Sequence, residues 1–308
     1  MSSTRRFPRE RGLAARMVLT MFLLGLLYVA FVAVLAAVGV GFVLILVIAV
    51  GVLFVQYWFS DRIALFAMGG REVSPEEAPQ LHGLVDRLCA MADMPKPRVA
   101  VADADLPNAF ATGRSPSRAV VCVTTGIMRR LEPPELEAVV AHELSHVAHR
   151  DVAVMTIASF LGVAAGLLTR VALYAGFFGG FGGGSDDDED SSSLPVFLMI
   201  LVVSAVVYAV SFVLTRALSR YRELAADRGA AVLTGAPRTL ASALVKISGD
   251  MAAIPTRDLR SAEPLNAFFF TPALSPGFSL SSLFSTHPSL ERRLEQLNRI
   301  EASMGTAR

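Results

Sequence analysis

Three histidines and a glutamate lie close together in the segment VVAHELSHVAHRDV, residues 139–152. On an α-helix, residues four positions apart share one face about 6 Å apart, so His142 and His146 can both offer a ring nitrogen to one metal ion. Glu143 then lies beside the first histidine, where it can accept a proton from activated water without binding the metal. This spacing predicts a zinc hydrolase site with Glu143 as the general base.

His149, the third histidine, has the wrong position for a ligand on the same helix. It follows His142 by seven residues, so it faces the same way but lies about 10 Å further along the axis, whereas zinc–ligand bonds are about 2 Å long. The segment also departs from the longer metzincin pattern, which requires glycine at this position. We expect His149 to contact the ligands or to lie at the membrane surface, and the third ligand to come from another element.

Two carboxylates in SRYRELAADRGA, residues 219–230, are candidates for that ligand. Glu223 and Asp227 are four residues apart on a helix-forming stretch and share a face. One of them could bind the metal in a His₂Glu site, and the other could hydrogen-bond the free ring nitrogen of a ligating histidine. The alternative is that both merely pair with Arg220 or Arg222, but the upstream HELSH favours metal binding.

The elements that position these residues include membrane helices. Hydrophobic residues make up 53% of the 308 residues, and the mean hydropathy is +0.52. No residue from 17 to 59 is charged, which predicts a transmembrane hairpin with a turn near Gly39 and Gly41. A signal peptide is the alternative, but its apolar core is only about 7–15 residues long. Further spans are predicted at 152–178 and 194–216, since about 20 apolar residues cross a bilayer.

The arginines indicate how these spans are oriented. Residues 1–16 are basic, and arginines also follow the second and fourth spans, whereas the flexible acidic loop 179–193 contains neither Lys nor Arg. Because Lys and Arg accumulate in cytoplasmic loops, both termini are predicted to be cytoplasmic and the acidic loop external. The polar segments 60–151 and 217–308 then share the cytoplasm and can form one protease domain.

Short strands are predicted in that domain at RVAVAD (98–103) and AVVCVTT (119–125), which are rich in β-branched residues. An extended peptide substrate is expected to add beside one of these strands. The helix that carries the histidines is predicted to begin after Pro133 and Pro134 and, with no loop signal, to continue into the third span. The resulting fold class is an α-helical membrane protein with four transmembrane helices and an α+β zincin-like cytoplasmic domain, in which a small sheet lies beside the active-site helix.

Several other classes of function are disfavoured by composition. The net charge is +1 and no basic stripe with interleaved aromatics occurs, so nucleic acid is not an expected partner. Cys89 and Cys122 do not form a disulfide framework and fit a reducing compartment. The predicted spans contain almost no charge, which argues against a transporter.

The chain resembles the HtpX family of membrane-integrated zinc metalloproteases, gluzincins related to the CAAX prenyl proteases. The motifs that carry the resemblance appear in the family's order and are PNAFATG (107–113), VVAHELSHVAHRD (139–151), SRYRELAAD (219–227) and STHPSLERRLEQL (285–297). The resemblance implies one Zn²⁺ per subunit bound by His142, His146 and Glu223, with Glu143 as general base. It also implies that Asp227 orients a ligand.

Two further assignments follow from the same resemblance. The segment around Asn108 is expected to line the substrate strand, and His287 to approach the reacting carbonyl. The apolar, Pro-punctuated segment 255–284 departs from the family and is expected to cover the cleft or to lie on the bilayer.

The implied function is proteolysis of misfolded or damaged membrane proteins in the cell (inner) membrane of a bacterium or archaeon. The polypeptide substrates and the lipid bilayer are the expected partners. The alternatives are a CAAX-type prenyl protease and a non-catalytic membrane protein in which zinc only staples two helices.

Overall fold

The computed structural model describes residues 11–37, 43–179, 193–253 and 287–305. The predicted turn near Gly39 and Gly41, nearly all of the acidic loop 179–193 and the segment 255–284 lie outside the described residues.

The helices and strands within these residues follow one another along the chain. They are α1 (Arg11–Ala37), α2 (Val43–Trp58), α3 (Ser60–Met68), β1 (Gly70–Glu72), α4 (Pro79–Ala92), β2 (Arg98–Ala102), β3 (Ala109–Thr112), β4 (Val120–Thr124), α5 (Thr125–Arg130), α6 (Pro133–Ala148), α7 (Asp151–Gly179), α8 (Ser193–Thr234), α9 (Pro237–Ala253) and α10 (Leu290–Gly305).

Three of the described helices, α1, α7 and α8, are long and apolar enough to cross a membrane. They contact one another through buried apolar side chains, namely Phe31, Leu35, Ala165, Leu168 and Val207. A fourth span results only if α2 and α3 are counted together, and these two helices are bent by 69° at the break between them. The predicted number of four spans therefore stays a prediction.

A four-stranded sheet in the order β1-β2-β4-β3 supports the polar part of the chain. The two predicted strands are its central pair, parallel to each other, with β1 and β3 added antiparallel at the edges. The prediction that a substrate adds beside 98–103 or 119–125 is therefore wrong, because each of these strands already has a neighbour on both sides. The outer strand β3 was not predicted, since its four residues lie between Pro107 and Gly113 and resemble a turn.

The two faces of the sheet pack against different helices. Ala64 of α3 is buried against Ala100 and Cys122 on one face, while α4, α6 and α9 contribute to the large apolar core on the other. Burial raises the pKa of the Cys122 thiol to about 12 and that of Cys89 to about 11, so both thiols stay protonated and unreactive at neutral pH. Both are free cysteines, as the sequence predicted.

The helix that carries the histidines ends at Ala148 and does not continue into the third span. Glu132 and Glu135 form a capping box at its start, whereas its end is followed by Arg150, which adopts a left-handed conformation with φ 56°. The prediction of a continuous helix is wrong because a non-glycine residue makes this turn, so the usual Gly or Pro signal is missing. By contrast, α8 runs without interruption from the fourth predicted span to Thr234.

Candidate metal centre

Three side chains from two helices converge on one point. The Nε2 atoms of His142 and His146 lie 3.1 Å apart, and the Glu223 carboxylate oxygens lie 3.6 Å from His142 Nε2 and 3.3 Å from His146 Nε2. A tetrahedral zinc ion with bonds of about 2.0 Å requires ligand atoms separated by roughly 3.3 Å. The three residues, supplied by α6 and α8, could therefore hold a divalent cation without rearrangement.

His142 and His146 each have a carboxylate partner at the ring nitrogen that points away from the candidate metal position. Asp227 Oδ1 lies 3.0 Å from His142 Nδ1. Asp151 Oδ2 lies 2.5 Å from His146 Nδ1. Such carboxylates fix the tautomer and the direction of a ligating imidazole. Asp151 was not predicted from the sequence, because a continuous helix would have placed it differently. The turn at Arg150 brings Asp151 back to His146.

Two buried arginines balance these carboxylates. Arg293 of α10 donates two hydrogen bonds to Asp227, at 2.8 and 2.6 Å, and is only 2% exposed. Burial lowers the pKa of Arg293, but the Asp227 carboxylate outweighs it and the pKa is raised. Arg222 forms the corresponding ion pair with Asp151. The site thus contains two carboxylate–arginine pairs, Arg293–Asp227 and Arg222–Asp151, and neither pairing was predicted from the sequence.

Glu143 lies beside the cluster and contacts the edge of the sheet. Its Oε2 accepts a hydrogen bond of 3.0 Å from the backbone N–H of Ala111 in β3. Burial raises the pKa of Glu143, while the neighbouring histidines lower it, and the net pKa is higher than that of an exposed glutamate. A carboxylate with a raised pKa exchanges protons more readily near neutral pH, which suits a general base.

The remaining residues predicted for the site lie at different distances from it. His287 Nδ1 lies 3.1 Å from Glu223 Oε2, so His287 joins the cluster. Asn108 is fully buried, and its backbone N–H donates to Thr124 Oγ1 at 2.9 Å. Its neighbours 109–112, rather than Asn108 itself, are among the described residues that line the cavity. His149 Nδ1 is 2.7 Å from the Ser145 carbonyl oxygen at the end of α6.

A cavity of about 350 Å³ connects this cluster to the apolar helices. Its lining includes the edge strand β3 and the metal-binding candidates, together with Gln56 of α2, Met155 and Ser159 of α7 and Ser219 of α8. A peptide segment bound there would contact both the sheet edge and the helices that carry the predicted spans.

We expect Asp151→Asn to lower the affinity of the cluster for zinc by about 10–100-fold, because the amide no longer fixes the His146 imidazole through a charged acceptor. The variant also leaves Arg222 without its carboxylate, so a lower melting temperature is expected. Zinc affinity is measured by competition with a chromophoric chelator. Asp105→Asn is the matched control, since Asp105 forms an exposed pair with Arg129. Equal zinc affinity in Asp151→Asn and wild type would contradict this role.

Known proteins match this chain over most of its length. The family model of "Peptidase family M48" matches residues 75–301. The chain is 62% identical over 302 residues to "Protease HtpX homolog 1" of Streptomyces coelicolor, covering 98% of this chain and 97% of that protein. It is 58% identical over 300 residues to "Protease HtpX homolog" of Moorella thermoacetica, covering 97% of this chain and 98% of that protein.

A solved structure has a similar fold. The crystal structure of Ste24p from S. mikatae superposes with a TM-score of 0.55 at 17% sequence identity, covering 94% of this chain and 67% of that chain. The overall fold is therefore shared by the two chains.

Proposed function

The chain belongs to peptidase family M48, within its HtpX proteases, and we propose that it is a membrane-bound zinc endopeptidase that uses the His142–His146–Glu223 cluster. The observation that carries this proposal is the convergence of these three side chains next to the Glu143 carboxylate, at separations that suit a tetrahedral ion. A site that only stapled two helices would have no use for a carboxylate in that position.

Each residue around the cluster would have a separate role in peptide hydrolysis. A zinc ion bound there would act as a Lewis acid that polarises the substrate carbonyl and lowers the pKa of water. Glu143 Oε2 is held by Ala111 N–H, so Glu143 Oε1 would accept the proton of the attacking water and later deliver it to the departing amine. Asp227 and Asp151 would hold the two imidazoles in position, and His287 would face the reacting carbonyl.

We infer that the substrate binds along β3. Of the two edge strands, β1 and β3, it is β3 that lies beside Glu143, because its Ala111 N–H points away from β4 to that carboxylate. Because backbone groups alternate along a strand, Ala109 presents its N–H and C=O on the same side. An extended peptide could pair with these groups next to Glu143, and the small alanine side chains would leave it room to approach. Such backbone pairing tolerates many side-chain sequences.

The substrates we propose are misfolded or damaged membrane proteins, cut at segments exposed near the cytoplasmic surface. The cavity supports this class because residues of α2, α7 and α8 line it together with the cluster. A polypeptide that emerges from the bilayer beside these helices would therefore reach the cluster without detaching from the membrane.

Metal removal tests the proposal. Purified full-length protein is expected to contain close to one zinc per chain, to cleave casein and a membrane-protein substrate, and to lose both activities on chelation. Added zinc should restore them. Prenylated and unprenylated peptides of one sequence are expected to be cleaved equally, whereas a CAAX-type prenyl protease would require the prenyl group. Cleavage that persists in metal-free protein would overturn the proposal.

A further inference from the structure

We propose that α3 is an interfacial helix whose outer face, made by Arg62 and Phe66 together with Phe59 just before the helix, inserts into the headgroup region of the bilayer. Large apolar side chains are exposed on this face: Phe66 is 91% exposed and Phe59 38%. Apolar surface of this kind, on a helix that carries polar residues elsewhere, is typical of helices that lie in the plane of a membrane.

The length and the contacts of α3 exclude a transmembrane position. Its nine residues span only about 13.5 Å, less than half of the roughly 30 Å of hydrocarbon. Its inner face is occupied, because Ala64 is fully buried against the sheet and Asp61 forms an ion pair with Arg98 of β2. One side of α3 is therefore fixed to the water-soluble part of the protein, and only the opposite side can meet lipid.

The connection to α2 places that opposite side at the level of the membrane surface. The apolar helix α2 ends at Trp58, and the chain bends by 69° into α3. Tyr57 and Trp58 at this bend are the residue types that concentrate where membrane meets water. A helix that follows an apolar helix and bends by 69° away from its direction is placed to run along the bilayer surface. This continuity favours lipid over a protein partner as the occupant.

Two arginines lie next to the aromatic residues at the bend between α2 and α3. The Arg62 guanidinium lies 5.8 Å from the centre of the Phe59 ring, and that of Arg114 lies 3.6 Å from the Trp58 ring. Tyr57 Oη also donates a hydrogen bond of 2.8 Å to the Arg114 carbonyl oxygen. Cations at this depth are attracted to anionic headgroups. The connection between β3 and β4, which contains Arg114, is thus attached to the membrane end of α2.

The attachment of the β3–β4 connection to α2 would determine how far the cavity beside the cluster lies from the bilayer. This consequence rests on the proposed function. The β3–β4 connection is held at the membrane end of α2, and the same β3 contacts Glu143 through Ala111. Ser60 and Ile63 of α3 also line the cavity beside the cluster. The interfacial position of α3 itself does not depend on proteolysis and is tested without it.

The test measures the depth of a tryptophan at position 66. Trp58 is the single tryptophan of the chain, so the double variant W58F/F66W reports on α3 alone. Full-length protein is reconstituted in phosphatidylcholine–phosphatidylglycerol vesicles with a quenching spin label either near the headgroup or at the end of the acyl chain. We expect at least about a twofold loss of fluorescence with the shallow label and a smaller loss with the deep one.

The variant W58F/V245W is the matched control, because Val245 is 50% exposed on α9 and is expected to lie in water with little quenching by either label. Absence of quenching at position 66, or quenching equal to that at position 245, would overturn the proposal. Stronger quenching by the deep label would also overturn it, because α3 would then enter the hydrocarbon. Bound zinc and circular dichroism verify that each variant is folded, and neither depends on the depth of α3.

Discussion

Glu143→Gln is expected to bind zinc as the wild-type protein does and to lose about 1,000-fold or more in casein cleavage. Glutamine has nearly the same shape and keeps an oxygen that can accept the Ala111 N–H, so the local structure should persist. It cannot take up a proton, and a positioned general acid–base contributes about 10²–10⁴-fold to the rate. Zinc content is measured on the purified protein, and cleavage is followed in the same preparation.

Glu137→Gln on the same helix is the control for this result. Glu137 pairs with Arg87 at the protein surface, where an ion pair contributes little to stability, so zinc content and activity should equal those of the wild type. Unchanged cleavage by Glu143→Gln would remove the proposed mechanism. Loss of zinc from Glu143→Gln would instead mean that Glu143 supports the metal rather than the proton transfer.

Glu223→Gln is expected to weaken zinc binding by at least about 100-fold, since a charged ligand is replaced by a neutral amide. Glu223 has partners on several sides, with His142, His146 and His287 within 3.6 Å of its carboxylate oxygens, and no neighbouring carboxylate shares this position in the described structure. Zinc should then raise the melting temperature of the wild type but not that of the variant, because only protein that binds the ion is stabilised by it.

Two further variants test whether Glu223→Gln weakens zinc binding through a general loss of structure. Glu223→Asp keeps the charge on a shorter side chain, so it should fold and show an intermediate zinc affinity. Glu295→Gln removes only an exposed intrahelical pair with Arg299 and should match the wild type in both measurements. If Glu223→Gln retained full zinc content and activity, the third ligand would have to be another residue.

Local patterns allowed much of the site to be predicted. The four-residue spacing of His142 and His146 needs only a helix to place both rings on one side, and α6 provides it. Glu223 and Asp227 follow the same rule on α8. Apolar runs likewise predicted α1, α7 and α8, because a bilayer requires about 20 such residues and the backbone must be satisfied within the helix.

The same local patterns could not predict contacts between residues that are far apart in the chain. The edge strand β3 has only four residues and depends on pairing with β4, so its sequence between proline and glycine carried no strand signal. Asp151 reaches His146 only because Arg150 breaks the helix in a conformation that arginine rarely adopts. Arg293 comes from a helix 66 residues further along the chain than Asp227, and its burial against that carboxylate follows from packing alone.

By itself, the amino-acid sequence determined the chemical groups and the helices that carry them, because donor spacing and apolar length are properties of short segments. The tertiary structure decided that β3 is the edge strand beside Glu143, that His142 and His146 each have their own carboxylate, and that α3 turns at the end of α2. These features depend on contacts between segments far apart in the chain, whose free energy comes from mutual burial and pairing that no single segment encodes.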